Sequence, residues 1–292
     1  MTDCSTQQLD FTPLKSKKLV ACFDEPHVSS DAGVLLLREV EQQIGVLGRL
    51  SSAITDTRRQ SHVAHHVSEL LHQRAFQICL GYEDADDCDH LKGDPAFKVA
   101  AGRDPVQDRD LASQPTMTRL ENAVTVRDLV RMGYALVEQF IDSYTAPPEF
   151  IVIDMDPTAN HVYGQQQLAL FNAYEDEYCF MPFHVYEGVS GKLITTVLRS
   201  GKTPTAAEII SVLKRIVRRI RQAWPQVQIL FRGDSHHTKP AVMHWLDEHT
   251  TDFITGLTKN ARLDVLFKQT ITSAEQKYHR TGTPVRAWGA AW

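Results

Sequence analysis

Hydrophobic residues recur at helical spacing in the first half of the chain. In "SSDAGVLLLREVEQQIG" they follow a Ser-Asp pair that is suited to cap a helix. The same spacing predicts a helix over residues 61–81 and one or two helices over residues 116–144. "TAPPEF" then interrupts the pattern, because proline disfavours the helix interior. We therefore predict a mostly helical N-terminal region, residues 1–148.

The chain before the first helix has a different amino-acid composition. Residues 1–17 are polar and are predicted to be disordered or loosely attached. "KLVACF", residues 18–23, is long and apolar enough for one short strand. This end of the chain is thus expected to contribute little regular structure.

Continuous and alternating apolar runs dominate the second half. "EFIVIDMD", "YCFMPFHVYEG" and "GKLITTVLRSG" are typical of strands, and "VSG" between the last two predicts a hairpin. "TAAEIISVLKRIVRRIRQAW" has helical periodicity, "VQILFRGDS" is strand-like, and a further helix and strand follow. The order β-β-β-α-β-α-β predicts an α/β domain with a mixed sheet over residues 149–292.

Composition and charge narrow the class of protein. Of 292 residues, 42% are hydrophobic and 23% are charged, which is typical of a soluble globular protein. The net charge of -5 disfavours nucleic-acid binding over the whole surface but leaves local basic patches open. The five cysteines form no C-x-x-C pair, and no signal-peptide core or membrane-length apolar run occurs, so we expect a cytoplasmic protein.

Two aspartates occupy positions where strands end. Asp156 ends the first strand of the second half, and Asp234 ends the fourth. If these strands are parallel neighbours, both carboxylates meet at one sheet edge, where ligands bind in open α/β sheets. Without a local Arg or Lys, such a pair suits a hard divalent cation, although each Asp could instead cap a turn. Asp154 shares a face with Asp156, and its role is left open between metal ligand, supporting group and solvated residue.

The densest basic segment lies on the predicted amphipathic helix. Its cationic residues cluster opposite the isoleucines, so they are candidates for DNA-phosphate contact, with a solvated helix face as the equal alternative. These residues are Lys214, Arg215, Arg218, Arg219 and Arg221. "HVAHH", residues 62–66, has spacing that would put its histidines on one helical face, but zinc binding there is disfavoured because no H-E-x-x-H motif occurs. His236 and His237 lie two and three residues after Asp234, and they either assist near the metal, enter a DNA groove or serve a turn.

Several of these stretches resemble the DDE-type transposases of bacterial insertion sequences, specifically the IS1380 family. The resemblance is carried by "SSDAGVLLLRE", "GYEDADDCDHLKGDPAFKVA", "SQPTMTRLEN", "IDMDPTANHVYGQQ" and "LFRGDSHH". It implies an RNase H-like core behind the helical region, with Asp156 and Asp234 matching the first and second catalytic aspartates. It also implies cleavage and strand transfer at the terminal inverted repeats of double-stranded DNA. The family's reaction uses two Mg²⁺ ions, for which Mn²⁺ can substitute, in self-associated protein on the bacterial nucleoid.

The third acidic residue of that family has no counterpart in the sequence. The family places a Glu on a downstream helix, in a motif of the type Tyr-x-x-Arg-x-x-x-Glu-x-x-x-x-x-x-Lys. Neither Glu248 nor Glu275 sits in such a motif, and the sequence reaches Trp292 before that region. We therefore expect a truncated transposase whose activity is open. The alternatives are a non-catalytic DNA-binding fragment that interferes with the full-length enzyme, and a metal-dependent nuclease with a different third ligand.

Overall fold

The structure, a computed structural model, describes residues 9–22, 29–164, 166–258 and 260–287. Within these residues no helix combines the length and apolar character that a membrane crossing requires. Regular secondary structure accounts for most of the described chain.

The chain divides into two compact units. The first comprises Met1–Ala146 with Leu193–Thr195, and the second comprises Pro147–Lys192 with Thr196–Trp292. The junction coincides with the proline-rich "TAPPEF" segment, in which consecutive prolines prevent the preceding helix from continuing.

Among its described residues, the first unit contains a strand pair followed by seven α-helices. Its elements are β1 (Leu9–Leu14), β2 (Lys17–Ala21), α1 (Val34–Ile44), α2 (Val46–Ser52), α3 (Val67–Cys79), α4 (Asp87–Leu91), α5 (Pro95–Ala100), α6 (Gln114–Ala123) and α7 (Val126–Asp142). α7 begins with a reciprocal capping box, in which the Thr125 hydroxyl and the Asp128 carboxylate each accept a backbone N–H of the other residue. The main core of this unit packs apolar residues of α1, α3 and α5, including Val34, Leu35, Phe76 and Phe97.

Two predictions for this region are wrong. Residues 9–14, expected to be loosely attached, form a strand that pairs antiparallel with β2 and buries Leu14, whereas residues 1–8 lie outside the described part. The His62–His66 segment does not share a helical face. His62 lies in a 3-10 turn and His66 caps α3, so the histidines precede the helix rather than lining it.

The second unit is organised around a mixed five-stranded sheet. The elements from Phe150 onward are, in chain order, β3 (Phe150–Pro157), β4 (Asn160–His161), β5 (Leu170–Asn172), β6 (Glu177–Phe180), β7 (Phe183–Glu187), β8 (Leu193–Val197), α8 (Ala206–Ala223), β9 (Gln228–Gly233), α9 (Pro240–Glu248), β10 (Asp252–Thr255), α10 (Ala261–Leu266) and α11 (Lys268–Thr281). Of β8, residues Leu193–Thr195 group with the first unit and the rest with the second. The sheet order is β10-β9-β3-β7-β8. β9 is parallel to both β3 and β10, whereas β7 is antiparallel to β3.

A second, smaller sheet was not predicted. The strands β4, β6 and β5 form a three-stranded sheet inserted between β3 and β7. "YCFMPFHVYEG", predicted as one strand, is divided at Met181 and Pro182 into β6 and β7, which belong to different sheets. The predicted β7–β8 hairpin and the order of the larger strands and helices are confirmed.

The amphipathic pattern of α8 corresponds to a buried apolar face. Thr205 and Glu208 form a capping box at its start, which satisfies backbone N–H groups of the first turn. The fully or almost fully buried residues recur at helical spacing: Ile209, Leu213, Ile216, Val217 and Ile220. Burying this face leaves the charged residues of the helix toward its other side.

Candidate active site

The register between β3 and β9 brings Asp156 and Asp234 to the same edge of the sheet. The two strands are parallel, and their last paired residues are Met155 and Gly233. Asp156 and Asp234 each follow directly on those partners. The structure therefore brings together, at the carboxyl ends of neighbouring parallel strands, the two aspartates that the sequence singled out.

The carboxylate of Asp156 is available for binding a ligand. Its side chain is exposed and has no hydrogen-bond or ion-pair partner among the described residues. On the other side of β3, His184 of β7 is its cross-strand neighbour. The imidazole of His184 is itself held at Nδ1 by the hydroxyl of Thr196, 3.0 Å away. Asp156 thus has a polar, hydrogen-bonded side chain beside it on β7.

Asp234, by contrast, is tightly held. Its Oδ1 accepts hydrogen bonds from the His236 amide at 2.9 Å and from His237 Nδ1 at 2.8 Å, and its Oδ2 accepts from His236 Nδ1 at 2.7 Å. Partial burial acts to raise the pKa of Asp234, but the bonds from His236 and His237 outweigh it, so the pKa lies below its usual value. The carboxylate is therefore ionised and oriented at neutral pH.

His237 lies in the core beneath this edge. Its side chain is 0% exposed, and its ring packs against Phe231 and Phe183 at centroid distances of 5.5 and 6.1 Å. Burial lowers the pKa of His237, although the negative charges of Asp234 and Asp156 act to raise it. The neutral ring donates through Nδ1 to Asp234, which leaves Nε2 buried without a hydrogen-bond partner among the described residues.

Asp154 faces an arginine, which answers the question that the sequence left open. Arg232 of β9 is its register partner, and the guanidinium donates two hydrogen bonds to the Asp154 carboxylate, one of them from Nε to Oδ1 at 2.7 Å. Gly188 makes room for this pair, because a Cβ there would lie 2.6 Å from Asp154 Oδ2. The expectation of a site without a local Arg or Lys is therefore wrong.

The basic residues of α8 have different environments. Lys214, Arg215 and Arg218 are exposed, and Arg219 is half-buried. Arg215 donates to the backbone carbonyl of Ser211 on its own helix. The half-buried Arg221 donates to the backbone carbonyls of His249 and Thr250 at the end of α9. A contact of any of these five residues with DNA stays a prediction.

A third carboxylate does not complete the site within the described residues. No group of three or more His, Cys, Asp or Glu side chains there is arranged to hold a metal ion. Glu248 pairs with His244 on α9 at 3.1 Å, and Glu275 is exposed on α11. The oxygen donors that the sequence singled out on the sheet edge are Asp156 and Asp234, and carboxylate oxygens are the donor type that divalent cations such as Mg²⁺ and Mn²⁺ take.

Sequence reasoning missed Arg232 and His184 at this edge and left the role of Asp154 open. Arg232 and Asp154 lie two residues before Asp234 and Asp156, so strand alternation alone places each pair on one face. That signal was available, but the pairing of β3 with β9 was needed to join them. His184 carries no local signal, since its position beside Asp156 follows only from the β3–β7 register.

Comparison with known proteins identifies the family. The family described as "Transposase DDE domain group 1" matches residues 11–290, which is nearly the whole chain. The chain belongs to this family. No curated protein sequence matches it.

Solved structures similar to the chain include transposases in complex with DNA. The piggyBac transposase synaptic complex with hairpin DNA is 12% identical, with a TM-score of 0.36, over 82% of this chain and 54% of that one. The Mos1 mariner paired-end complex with Mn is 14% identical, with a TM-score of 0.25, over 71% of this chain and 73% of that one. A pre-cleavage Mos1 transpososome is 13% identical, with a TM-score of 0.25, over 89% and 87% of the respective chains. The chain thus spans about half the length of the piggyBac protein.

Proposed function

We propose that this chain is a DNA transposase of an insertion sequence of the IS1380 type, acting on the bacterial nucleoid. Residues 149–292 form its RNase H-like catalytic region, and residues 1–148 contribute to recognition of the terminal inverted repeats. The observation that carries the proposal is the β3–β9 register, which leaves Asp156 and Asp234 together at one sheet edge in a chain of the DDE family. The mixed five-stranded sheet supports the RNase H-like assignment.

The two aspartates have complementary roles in this proposal. Asp156 and Asp234 would hold a divalent metal ion, Mg²⁺ or Mn²⁺, which would supply a Lewis acid for the scissile phosphate. Asp156 is exposed, so DNA can approach it, whereas the hydrogen bonds to Asp234 keep that carboxylate ionised and fixed. Hydrolysis at the element's end would free a 3′ hydroxyl. That hydroxyl would then attack a phosphodiester of the target DNA, forming a new P–O bond while the bond to the target strand's 3′ oxygen breaks and that oxygen leaves as a 3′ hydroxyl. Self-association on DNA would bring two element ends together.

A cleavage assay tests this proposal directly. The full chain is incubated with duplex DNA that carries the element's end and its flank, or with a scrambled duplex, in Mg²⁺, Mn²⁺ or EDTA. We expect nicking at the element boundary in either metal, none in EDTA, and weaker binding of the scrambled duplex. Equal nicking in EDTA, or the absence of DNA binding in every condition, would contradict the proposal.

The structure also favours one alternative, a DNA-binding fragment without catalytic activity that interferes with full-length transposase. Its support is the lack of a third metal-binding side chain beside Asp156 and Asp234 within the described ranges. In the same assay this alternative predicts specific binding of the element's end without nicking in Mg²⁺ or Mn²⁺. Binding would then be insensitive to loss of either aspartate.

The exposed basic residues of α8 supply a second test, of DNA contact. Replacing Lys214, Arg215 and Arg218 together by Gln is expected to weaken binding of both specific and scrambled duplexes by roughly tenfold or more at low salt. The slope of log K against log salt concentration should become less negative by about 2–3, because a protein that has lost three phosphate contacts releases fewer counterions on binding. Titrations at several salt concentrations measure both quantities.

A control variant with the same change in net charge shows whether the loss of DNA affinity comes from contacts of the α8 residues or from the lower net charge of the protein. Arg262, Lys268 and Lys277 are exposed on α10 and α11, and their triple replacement by Gln removes the same three charges. If both triple variants lose equal affinity, the α8 face is not the DNA-contacting surface, and its charges serve solvation alone.

A further inference from the structure

We infer that His237 is a positioning residue, which fixes the Asp234 carboxylate in the orientation that binds metal. The inference rests on the proposed function and deepens it. It assigns to a buried side chain the task of holding one of the two aspartates on the sheet edge. His237 itself is enclosed and does not reach the DNA or the reacting phosphate.

The geometry links the core to the sheet edge through one hydrogen bond. The His237 ring is enclosed between Phe231 of β9 and Phe183 of β7, and its Nδ1 donates to Asp234 Oδ1 at 2.8 Å. Gly233 lies directly against the ring, since a Cβ there would come within 2.8 Å of His237 Cγ. A ring confined in this way cannot rotate freely, so its hydrogen bond restrains the Asp234 side chain.

The buried Nε2 of His237 argues against a purely structural role. A core position between two phenylalanines is filled at least as well by an apolar ring, which would leave no polar atom unpaired. The chain instead buries an imidazole whose Nε2 has no partner among the described residues. Such a group is costly and calls for a specific explanation, and the one bond that the ring makes is the bond to Asp234.

His236 restrains the Asp234 carboxylate less than His237 does. It also bonds to Asp234, through its amide and its Nδ1, but its side chain is 37% exposed. An exposed imidazole keeps more rotational freedom, so its bond to Oδ2 fixes the carboxylate less firmly. We therefore expect His236 to contribute less than His237.

The test compares three variants of the full chain. His237→Phe keeps an enclosed ring and removes the donor, whereas His237→Asn restores an N–H near the Nδ1 position. His244→Asn changes an exposed histidine on α9 and serves as the control. Mn²⁺ binding is followed by the loss of the free-ion signal in electron paramagnetic resonance, and folding by circular dichroism and thermal unfolding. The metal concentration for half-maximal DNA cleavage is the second readout.

The expected results distinguish a role of His237 in positioning Asp234 from a role in packing the core. His237→Phe should unfold at or above the wild-type temperature and yet require at least tenfold more Mn²⁺ for half-saturation. His237→Asn should recover to within threefold of wild type, and His244→Asn should stay within twofold. The same shifts should appear in the metal dependence of cleavage.

Three results would overturn the inference. A folded His237→Phe protein that binds Mn²⁺ within twofold of wild type shows that the bond does not position Asp234. A folded His237→Asn protein that binds as poorly as His237→Phe shows that the N–H donor is not the cause. If wild-type Mn²⁺ binding does not depend on Asp156 and Asp234, the proposed function itself fails, and the role of His237 falls with it.

Discussion

Replacing Asp156 by asparagine is expected to lower metal-dependent DNA cleavage by about a thousandfold or more. The amide has nearly the same shape but carries no charge, so the site loses half of its negative charge and a strong oxygen ligand. Loss of several kcal/mol of transition-state stabilisation corresponds to about three powers of ten in rate. Because Asp156 is exposed and unpaired among the described residues, its stability contribution should stay within roughly 0.5 kcal/mol.

Initial cleavage rates at saturating Mg²⁺ or Mn²⁺ measure this loss, with DNA binding scored in parallel. Asp234→Asn should behave similarly, although it also weakens the bonds from His236 and His237. Asp252→Asn, at the exposed start of β10, is the matched control and should retain wild-type rates. If the Asp156→Asn protein keeps a tenth or more of the wild-type cleavage rate, Asp156 is not a catalytic residue.

Replacing Gly233 by alanine is expected to lower the free energy of unfolding by about 1–3 kcal/mol, the usual cost of overpacking a core. The new methyl group would meet the His237 ring at 2.8 Å, and that ring is enclosed by Phe231 and Phe183. Relief requires movement of the ring or of β9, and either movement displaces Asp234. Metal-dependent cleavage should therefore fall together with stability.

Urea unfolding of a double-mutant cycle identifies the cause. If the clash with the ring is responsible, Gly233→Ala should cost about 0.5–3 kcal/mol less in a His237→Ala background than in the wild type. Gly48→Ala is the control, since among the described residues a Cβ on this α2 glycine would come no nearer to any side chain than 3.9 Å, at Glu41 Oε1, and alanine favours a helix. Equal costs of Gly233→Ala in both backgrounds would place the strain elsewhere.

The sequence predicted the parts of the site that depend on local pattern. Apolar runs that end in Asp156 and Asp234 show where two strands stop, and the helical spacing of α8 shows that the connection crosses between parallel strands. These signals put the two carboxylates at one edge only if the two strands are parallel neighbours, and the β3–β9 pairing meets that condition. The buried face of α8 was likewise readable from its isoleucine spacing.

The parts that were missed depend on contacts between distant residues. Arg232 neutralises Asp154 only because β9 lies beside β3 in one particular register. Pro182, which cannot donate a ladder hydrogen bond, marks a break in the apolar run, but where the chain goes after the break depends on pairing with distant strands. The strand at residues 9–14 alternates apolar and polar residues but contains Pro13, which disfavours a strand, and its pairing with β2 is what makes it a strand.

The ion pair between Asp154 and Arg232 sets the electrical balance of the sheet edge. With Asp154 compensated, the uncompensated charge comes from Asp156 and Asp234, which is two negative charges and equals that of one divalent cation in magnitude. Without a cation, this edge repels the phosphates of DNA; with one, the repulsion is cancelled. Metal and DNA should therefore bind cooperatively, with each raising the affinity for the other by the same factor.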